Sequence, residues 1–453
     1  MHVFAERALV GDAWLRRVRL TLGEGEIRAI ETGAAAGPDD VRVDALLPAL
    51  SNLHSHAFQR AMAGMTEARA LGRDGFWSWR TLMYRFLDRL TPEHVEAIAA
   101  LAQMEMLEAG FAAVGEFHYL HHAPDGRPYD RPSELSERIF AAAATTGIGL
   151  THLPVLYRYA GLGREPLEGG QRRFGNDHDR FLALVADCER AVAALAPDTV
   201  VGVAPHSLRA VAPDDLERLV AARPDGPVHL HIAEQTREVE AVEAALGARP
   251  VAWLLANAPV DGRWCLVHAT HTTGDETTVM ARSGAVAGLC PITEANLGDG
   301  VFDGARYAAQ GGAFGVGSDS NVRIALGEEL RTLEYGQRLR DRARNVMPPA
   351  EGSTGAWLYR EAARGGARAL GRRSGEIAVG RLADLVAIDG GHPALSARDG
   401  DRLLDGLCFA AGDGVVGDTW SAGRHVVRGG RHVRRDAILA AYRGAIASLR
   451  DAL

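Results

Sequence analysis

Apolar and polar positions alternate with period two close to the amino terminus. Val18, Leu20 and Leu22 interleave with Arg17, Arg19 and Thr21, and Gly23 and Gly25 interrupt the run ahead of Ile27 and Ile30. Residues two apart share one face of a strand, so this spacing predicts short antiparallel strands with one buried side. A similar pattern returns at the far end of the chain, with Ile377, Val379, the run Leu385-Val386-Ala387-Ile388, then His425-Val426-Val427 before Gly429-Gly430. Neither end holds enough strands to stand alone. The two are therefore expected to combine as one small β-sandwich domain, residues 1–47 with 375–432, leaving residues 433–453 for a carboxy-terminal helix centred on Ala437 to Leu453.

Between them, apolar runs bounded by glycine or proline alternate with helical stretches such as Pro92 to Gly110, Asp177 to Leu195 and Asp214 to Arg223. Repetition of strand and helix means a parallel sheet. Candidate strand ends are Leu53-His54-Ser55-His56, Gly115-Glu116-Phe117-His118-Tyr119, Leu153-Pro154-Val155, Val203-Ala204-Pro205-His206, His229-Leu230-His231, Leu266-Val267-His268, Leu289-Cys290-Pro291 and Gly317-Ser318-Asp319. Eight such units over residues 48–374 fit an α/β (β/α)₈ barrel of the TIM type. Chemically capable residues recur where the runs finish, and in a barrel those ends share one mouth.

Composition narrows the chemistry. The 453 residues contain no lysine, so all 50 basic residues are arginine. That excludes a P-loop lysine, a lysine Schiff base and a lysine-derived bridge between two metals. A net charge of −8 with dispersed arginines argues against nucleic acid as the partner. Cys188, Cys265, Cys290 and Cys408 lie far apart, without the pairing that a thiolate site or disulfide framework needs. The start of the chain lacks an uninterrupted apolar segment and no later stretch reads as a membrane span, which gives a cytoplasmic expectation.

His54 and His56 stand two apart at the first strand end, so both imidazoles face one side. In a chain with 17 histidines such a pair is weak by itself. His231 at the fifth strand end and Asp319 at the eighth complete a set of three imidazoles and one carboxylate. That set suits one divalent ion, zinc or iron(II), with a position left for a water that ionises near neutral pH. Glu234, three residues after His231, is either a first-turn helix glutamate or, beside a metal, a proton donor to a substrate nitrogen. His268 suits electrostatic support of the attacked centre. His271 has less claim, and His121, His122 and His152 read as loop or packing residues.

With His54 and His56 on strand one, His231 and Glu234 on five, His268 on six and Asp319 on eight, the chain resembles the mononuclear deaminase branch of the amidohydrolase superfamily. The segment Gly375 to Val386 resembles that superfamily's return into its small β domain. A narrower resemblance, to the formimidoylglutamate deiminase family of histidine degradation, rests on four blocks: Ser51 to Gly64, Phe76-Trp77-Ser78-Trp79-Arg80, Gly115 to His122, and Cys290 to Gly300. The resemblance implies hydrolysis of N-formimidoyl-L-glutamate to N-formyl-L-glutamate and ammonia. It implies one divalent metal ion per chain, zinc before iron(II), on His54, His56, His231 and Asp319. Glu234, His268 and Asp319 would be catalytic, with Asp319 taking a proton from the metal's water and Glu234 and His268 stabilising the tetrahedral intermediate. Gln59, Arg80, Tyr119, His206 and Arg209 would hold the substrate, in a cytoplasmic enzyme compatible with a homodimer.

Two arginines suit a dicarboxylate, since a guanidinium meets a carboxylate with two parallel hydrogen bonds. With 50 arginines in the chain, a solvated surface role is the alternative for each. A deaminase of guanine, pterin or adenosine-type substrates, and a non-catalytic barrel that binds a small anion or a partner protein, are the competing readings.

Overall fold

The computed structural model describes residues 1–68, 75–348 and 350–450. Eight parallel strand positions form the barrel: Leu50–Ser55, Phe111–His118, Gly149–Leu156, a broken fourth strand (Val200–Val201 and Ala204–Pro205), Val228–Ile232, Trp264–His268, Val286–Leu289 and Ala313–Val316. The fourth joins the fifth through Val203 and Val228. Closure occurs at the chemically interesting end: His56 N–H donates to the Asp319 carbonyl and Asp319 N–H to the His54 carbonyl, each at 2.9 Å. The residues that end strands one and eight are thus stitched together by backbone.

Inside the barrel Leu53, Ala113, Cys265, Val267, Val286 and Cys290 form an apolar plug with Ala369 and Leu370 beneath it. The helix Thr354–Ala369 packs so closely on the last strand that a Cβ on Gly365 would meet the Phe314 carbonyl oxygen at 1.8 Å. Only glycine fits there. Helices begin where their caps dictate. Thr91 accepts from His94 N–H with Pro92 opening the helix Pro92–Glu108, and Asp177 caps His178–Val192 instead of joining it. The third expected helix is Pro213–Ala222.

Both chain ends meet in one continuous hydrogen-bonded path of eight strands. Val41–Pro48 pairs antiparallel with Leu385–Ile388, which joins the two ends. Its own core gathers Val3, Val18, Leu20, Leu46, Ile377, Leu385 and Trp420. Val18, Leu20 and Leu22 point inward as their alternation predicts. The strand His2–Val10 escaped the period-two reading because both its faces are covered: Val3, Ala5 and Ala8 join the β-domain core, Leu9 joins the main one, and Val3, Phe4 and Ala5 are buried in succession. A helix, Asp401–Phe409, interrupts the carboxy-terminal strands, inside the stretch assigned as a whole to the β domain. The terminal helix runs Arg435–Arg450, and residues 451–453 of its expected extent lie outside the described residues.

A buried ionic knot fastens the two parts. Arg372 donates to Asp384 at 2.8 and 3.0 Å and to Asp198 at 2.8 Å, and Arg424 reaches Asp198 at 2.7 and 2.8 Å. Among the described residues no helix is long and apolar enough to cross a membrane.

Candidate active site

The strand ends deliver their polar residues to one cavity of about 550 Å³, measured with its open mouth. His56, Gln59, Arg80, Tyr119, His206, Arg209, His231, Glu234, His268 and Asp319 all line it, with His54 fully buried just beneath. Every residue expected to ligate metal, catalyse or hold substrate is therefore at this mouth, whereas His271 does not line it and His121, His122 and His152 bond instead to the Val155 and Gly175 carbonyls and the Ser136 hydroxyl. Ala233, His268 and Asp319 hold φ of +50°, +69° and +46°, left-handed values that non-glycine residues keep only where the surroundings enforce them.

At the floor, His54 Nε2 lies 3.2 Å from His56 Nε2 and 3.0 Å from His231 Nε2. Asp319 Oδ1 stands 3.5 Å from His54 Nε2 and 3.3 Å from His56 Nε2. Four ligands on a tetrahedral zinc are about 3.3 Å apart, given metal–ligand distances of about 2.0–2.1 Å. Burial lowers the His54 imidazole to about 3 and pushes His56 and His231 down as well, so these rings are neutral and offer lone pairs. Three converging lone pairs and a carboxylate repel one another unless a cation sits among them, so the donor set fits a divalent metal. His56 Nδ1 contacts the Phe117 carbonyl at 3.0 Å, which fixes its proton there and frees Nε2.

Beside this cluster, His268 Nε2 is 4.0 Å from both Glu234 Oε1 and Asp319 Oδ2. Burial raises the Glu234 carboxyl to about 7 against the pull of His268 and Arg209, which suits it to move protons near neutrality. Arg209 approaches Glu234 and Glu238 at 3.7 Å each, and Glu238 also accepts the Glu234 backbone N–H at 3.2 Å. Gln59 donates to the Tyr119 hydroxyl at 2.8 Å, and the His206 ring stands edge-on to Tyr157 with centroids 4.6 Å apart.

Sequence reasoning assigns no role to Glu294, Tyr84 or Tyr157. Glu294 Oε1 accepts from Cys290 N–H at 2.9 Å and lies 3.2 Å from His268 Nδ1. Arg80 donates through Nε to the Tyr84 hydroxyl at 2.8 Å and through Nη2 to that of Tyr157 at 3.0 Å. Two signals were available: Tyr84 is one helical turn beyond Arg80, and Tyr157 follows the third strand directly.

The amidohydrolase family profile matches residues 45–426, and that of the formimidoylglutamate deiminase HutF, N-terminal domain, matches residues 1–44. Formimidoylglutamate deiminase of Pseudomonas aeruginosa is 50% identical over 452 residues, 99% of each chain. The chain belongs to the formimidoylglutamate deiminase family of amidohydrolases. An amidohydrolase crystal structure from Brucella melitensis superposes on it with a TM-score of 0.94, at 50% identity and 99% coverage of both chains. A zinc-bound adenosine deaminase from Xanthomonas campestris shares the fold, with a TM-score of 0.83 at 23% identity over 99% of this chain and 98% of its own. For this deiminase family member, the family-specific profile covers residues 1–44 and the general one residues 45–426, and the identity to the Pseudomonas aeruginosa deiminase runs through both.

Proposed function

We propose that this enzyme hydrolyses N-formimidoyl-L-glutamate to N-formyl-L-glutamate and ammonia in histidine degradation, in the cytoplasm. The observation that carries the substrate assignment is the state of Arg80. Its guanidinium faces the cavity held by two phenol hydroxyls, and among the described residues no carboxylate is paired with it. A half-buried cation supported by neutral groups keeps its full charge for a ligand. Together with Arg209 across the cavity, it supports a substrate carrying carboxylates over a neutral base.

His54, His56, His231 and Asp319 would hold one divalent ion, zinc in our reading on the strength of the three-nitrogen, one-oxygen donor set. When bound, such an ion supplies Lewis acidity and makes a water acidic enough to act as nucleophile near neutral pH. Asp319, whose carboxylate stands at the cavity floor beside His54 and His56, would be the group that accepts a proton from the attacking water. Glu234 delivers a proton to the departing nitrogen, since its carboxyl titrates near neutrality and borders the same cavity. His268, facing Glu234 and Asp319, stabilises negative charge at the attacked carbon's oxygen. Arg80 and Arg209 bind carboxylates, and Gln59, Tyr119 and His206 orient the chain between them.

The test is ammonia release measured in parallel on N-formimidoyl-L-glutamate, guanine and an adenosine analogue. Turnover of the first alone is expected; preferential turnover of a neutral base would overturn the reading.

A further inference from the structure

Arg80 reaches the cavity from the helix Phe76–Leu87, on the loop that follows the first strand. A long side chain with four rotatable bonds has many ways to miss a ligand. Here two of its nitrogens are committed. Nε points at Tyr84, on the same helix, and Nη2 at Tyr157, at the end of the third strand. Tyr157 is itself fixed, by Gln171 Nε2 donating to its hydroxyl at 3.3 Å and by the His206 ring against its face. The guanidinium also lies over the Trp77 and Tyr84 rings, at 5.6 and 5.3 Å from their centroids. Among the described residues Nη1 is left over, as is one N–H of Nη2. Burial pushes the Tyr84 phenol up, so the hydroxyl that holds Arg80 stays neutral.

We propose that Tyr84 and Tyr157 are specificity-determining positioning residues, which present an unneutralised Arg80 guanidinium to a substrate carboxylate. This rests on the dicarboxylate reading above and adds to it a reason for the choice of holders. A glutamate or aspartate at either place would fix the guanidinium equally well but cancel its charge. A hydroxyl accepts one N–H and leaves the charge available. The bridge also ties the loops after strands one and three together through Arg80, so that the guanidinium is preorganised before substrate arrives.

The inference predicts effects that pass through Arg80 and not around it. Tyr84→Phe and Tyr157→Phe, each alone and each in an Arg80→Met background, would be compared by kcat and KM on formimidoylglutamate. Each phenylalanine variant is expected to raise KM by roughly tenfold, the scale of a lost hydrogen bond to a charged group, with kcat within about twofold of wild type. In the Arg80→Met background the same changes should add nothing, because their only route of action is gone. Equal losses with and without Arg80, or a fall in kcat at constant KM, would overturn the inference. Arg80→Met impaired while both phenylalanine variants keep the wild-type KM would overturn it while sparing the dicarboxylate reading. Arg80→Met with a wild-type KM would overturn both.

Discussion

His268 Nδ1 lies 3.2 Å from Glu294 Oε1, and both side chains are buried, so the imidazole that turns its Nε2 toward Glu234 and Asp319 is anchored from behind by a carboxylate. The same oxygen accepts the Cys290 N–H at 2.9 Å, which pins Glu294 to the end of the seventh strand. Ring orientation on strand six is thus set by strand seven. Burial by itself would lower the His268 imidazole, but Glu234, Glu294 and Asp319 outweigh it and raise it to about 10.

This relationship predicts separable effects of two substitutions. Glu294→Leu removes the anchor, and kcat should fall by about 10² at unchanged metal content. Glu294→Gln keeps an acceptor but removes a charge that favours the protonated ring, so His268 should lose its proton at a lower pH. The alkaline limb of the rate profile then moves toward neutrality. A profile that stays in place would detach Glu294 from the chemistry.

The floor of the site predicts one metal ion per chain. Because the Nε2 atoms of His54, His56 and His231 all point to a common centre, His54→Ala should lose metal and activity together. Glu234→Gln should retain the metal and lose turnover by about 10² or more. Elemental analysis beside the ammonia assay reads both. Two tightly held ions in wild type would be incompatible with this donor set.

Arg80 and Arg209 should differ in what their loss costs. Arg80 has neutral holders, whereas Arg209 stands 3.7 Å from Glu234 and Glu238. Arg80→Met is expected chiefly to raise KM, with a loss in kcat/KM of about 2–5 kcal/mol as for an unpaired substrate charge. Arg209→Met should also lower kcat, because it removes a cation beside Glu234. Parallel KM and kcat values for the two variants would contradict this division.

The knot between barrel and β domain predicts a pH-dependent contribution to stability. Burial alone raises the Asp198 carboxyl; its hydrogen bonds and proximity to Arg424 and Arg372 overcome that and hold it at about 2, below the ordinary 3.8. A depressed carboxyl stabilises the fold above its unfolded value and loses that contribution as pH falls through the folded one. Wild type should therefore exceed Asp198→Asn by roughly 2 kcal/mol above pH ~4, and the gap should close toward pH ~2. Urea unfolding of both proteins at pH 7 and pH 3 measures it. A gap that is the same at both pH values would mean that Asp198 acts through packing alone.

The barrel and its mouth are legible in the order of residues alone. Strand ends such as His54-Ser55-His56 and Leu266-Val267-His268 carry polar side chains at a period that local backbone geometry converts into direction, and a barrel gathers all such ends on one side. Alternation at Val18, Leu20 and Leu22 likewise marks an inward face, because one side of that strand is wet. Local pattern failed where burial is set by neighbours distant in the chain. His2–Val10 lost its alternation because both its faces are covered, Val3, Ala5 and Ala8 by the β-domain core and Leu9 by the main one. Asp401–Phe409 carries its signal openly, with Leu403, Leu404, Leu407 and Cys408 at helical spacing, but lies inside a stretch read as β from the strands around it. The same holds in the site. Arg80 and Glu294 are visible as residues, but that Arg80 keeps its charge depends on Tyr157, 77 positions away, and that Glu294 orients His268 depends on a contact across 26. Charge and proton position are properties of what surrounds a group, and only the folded chain assembles those surroundings.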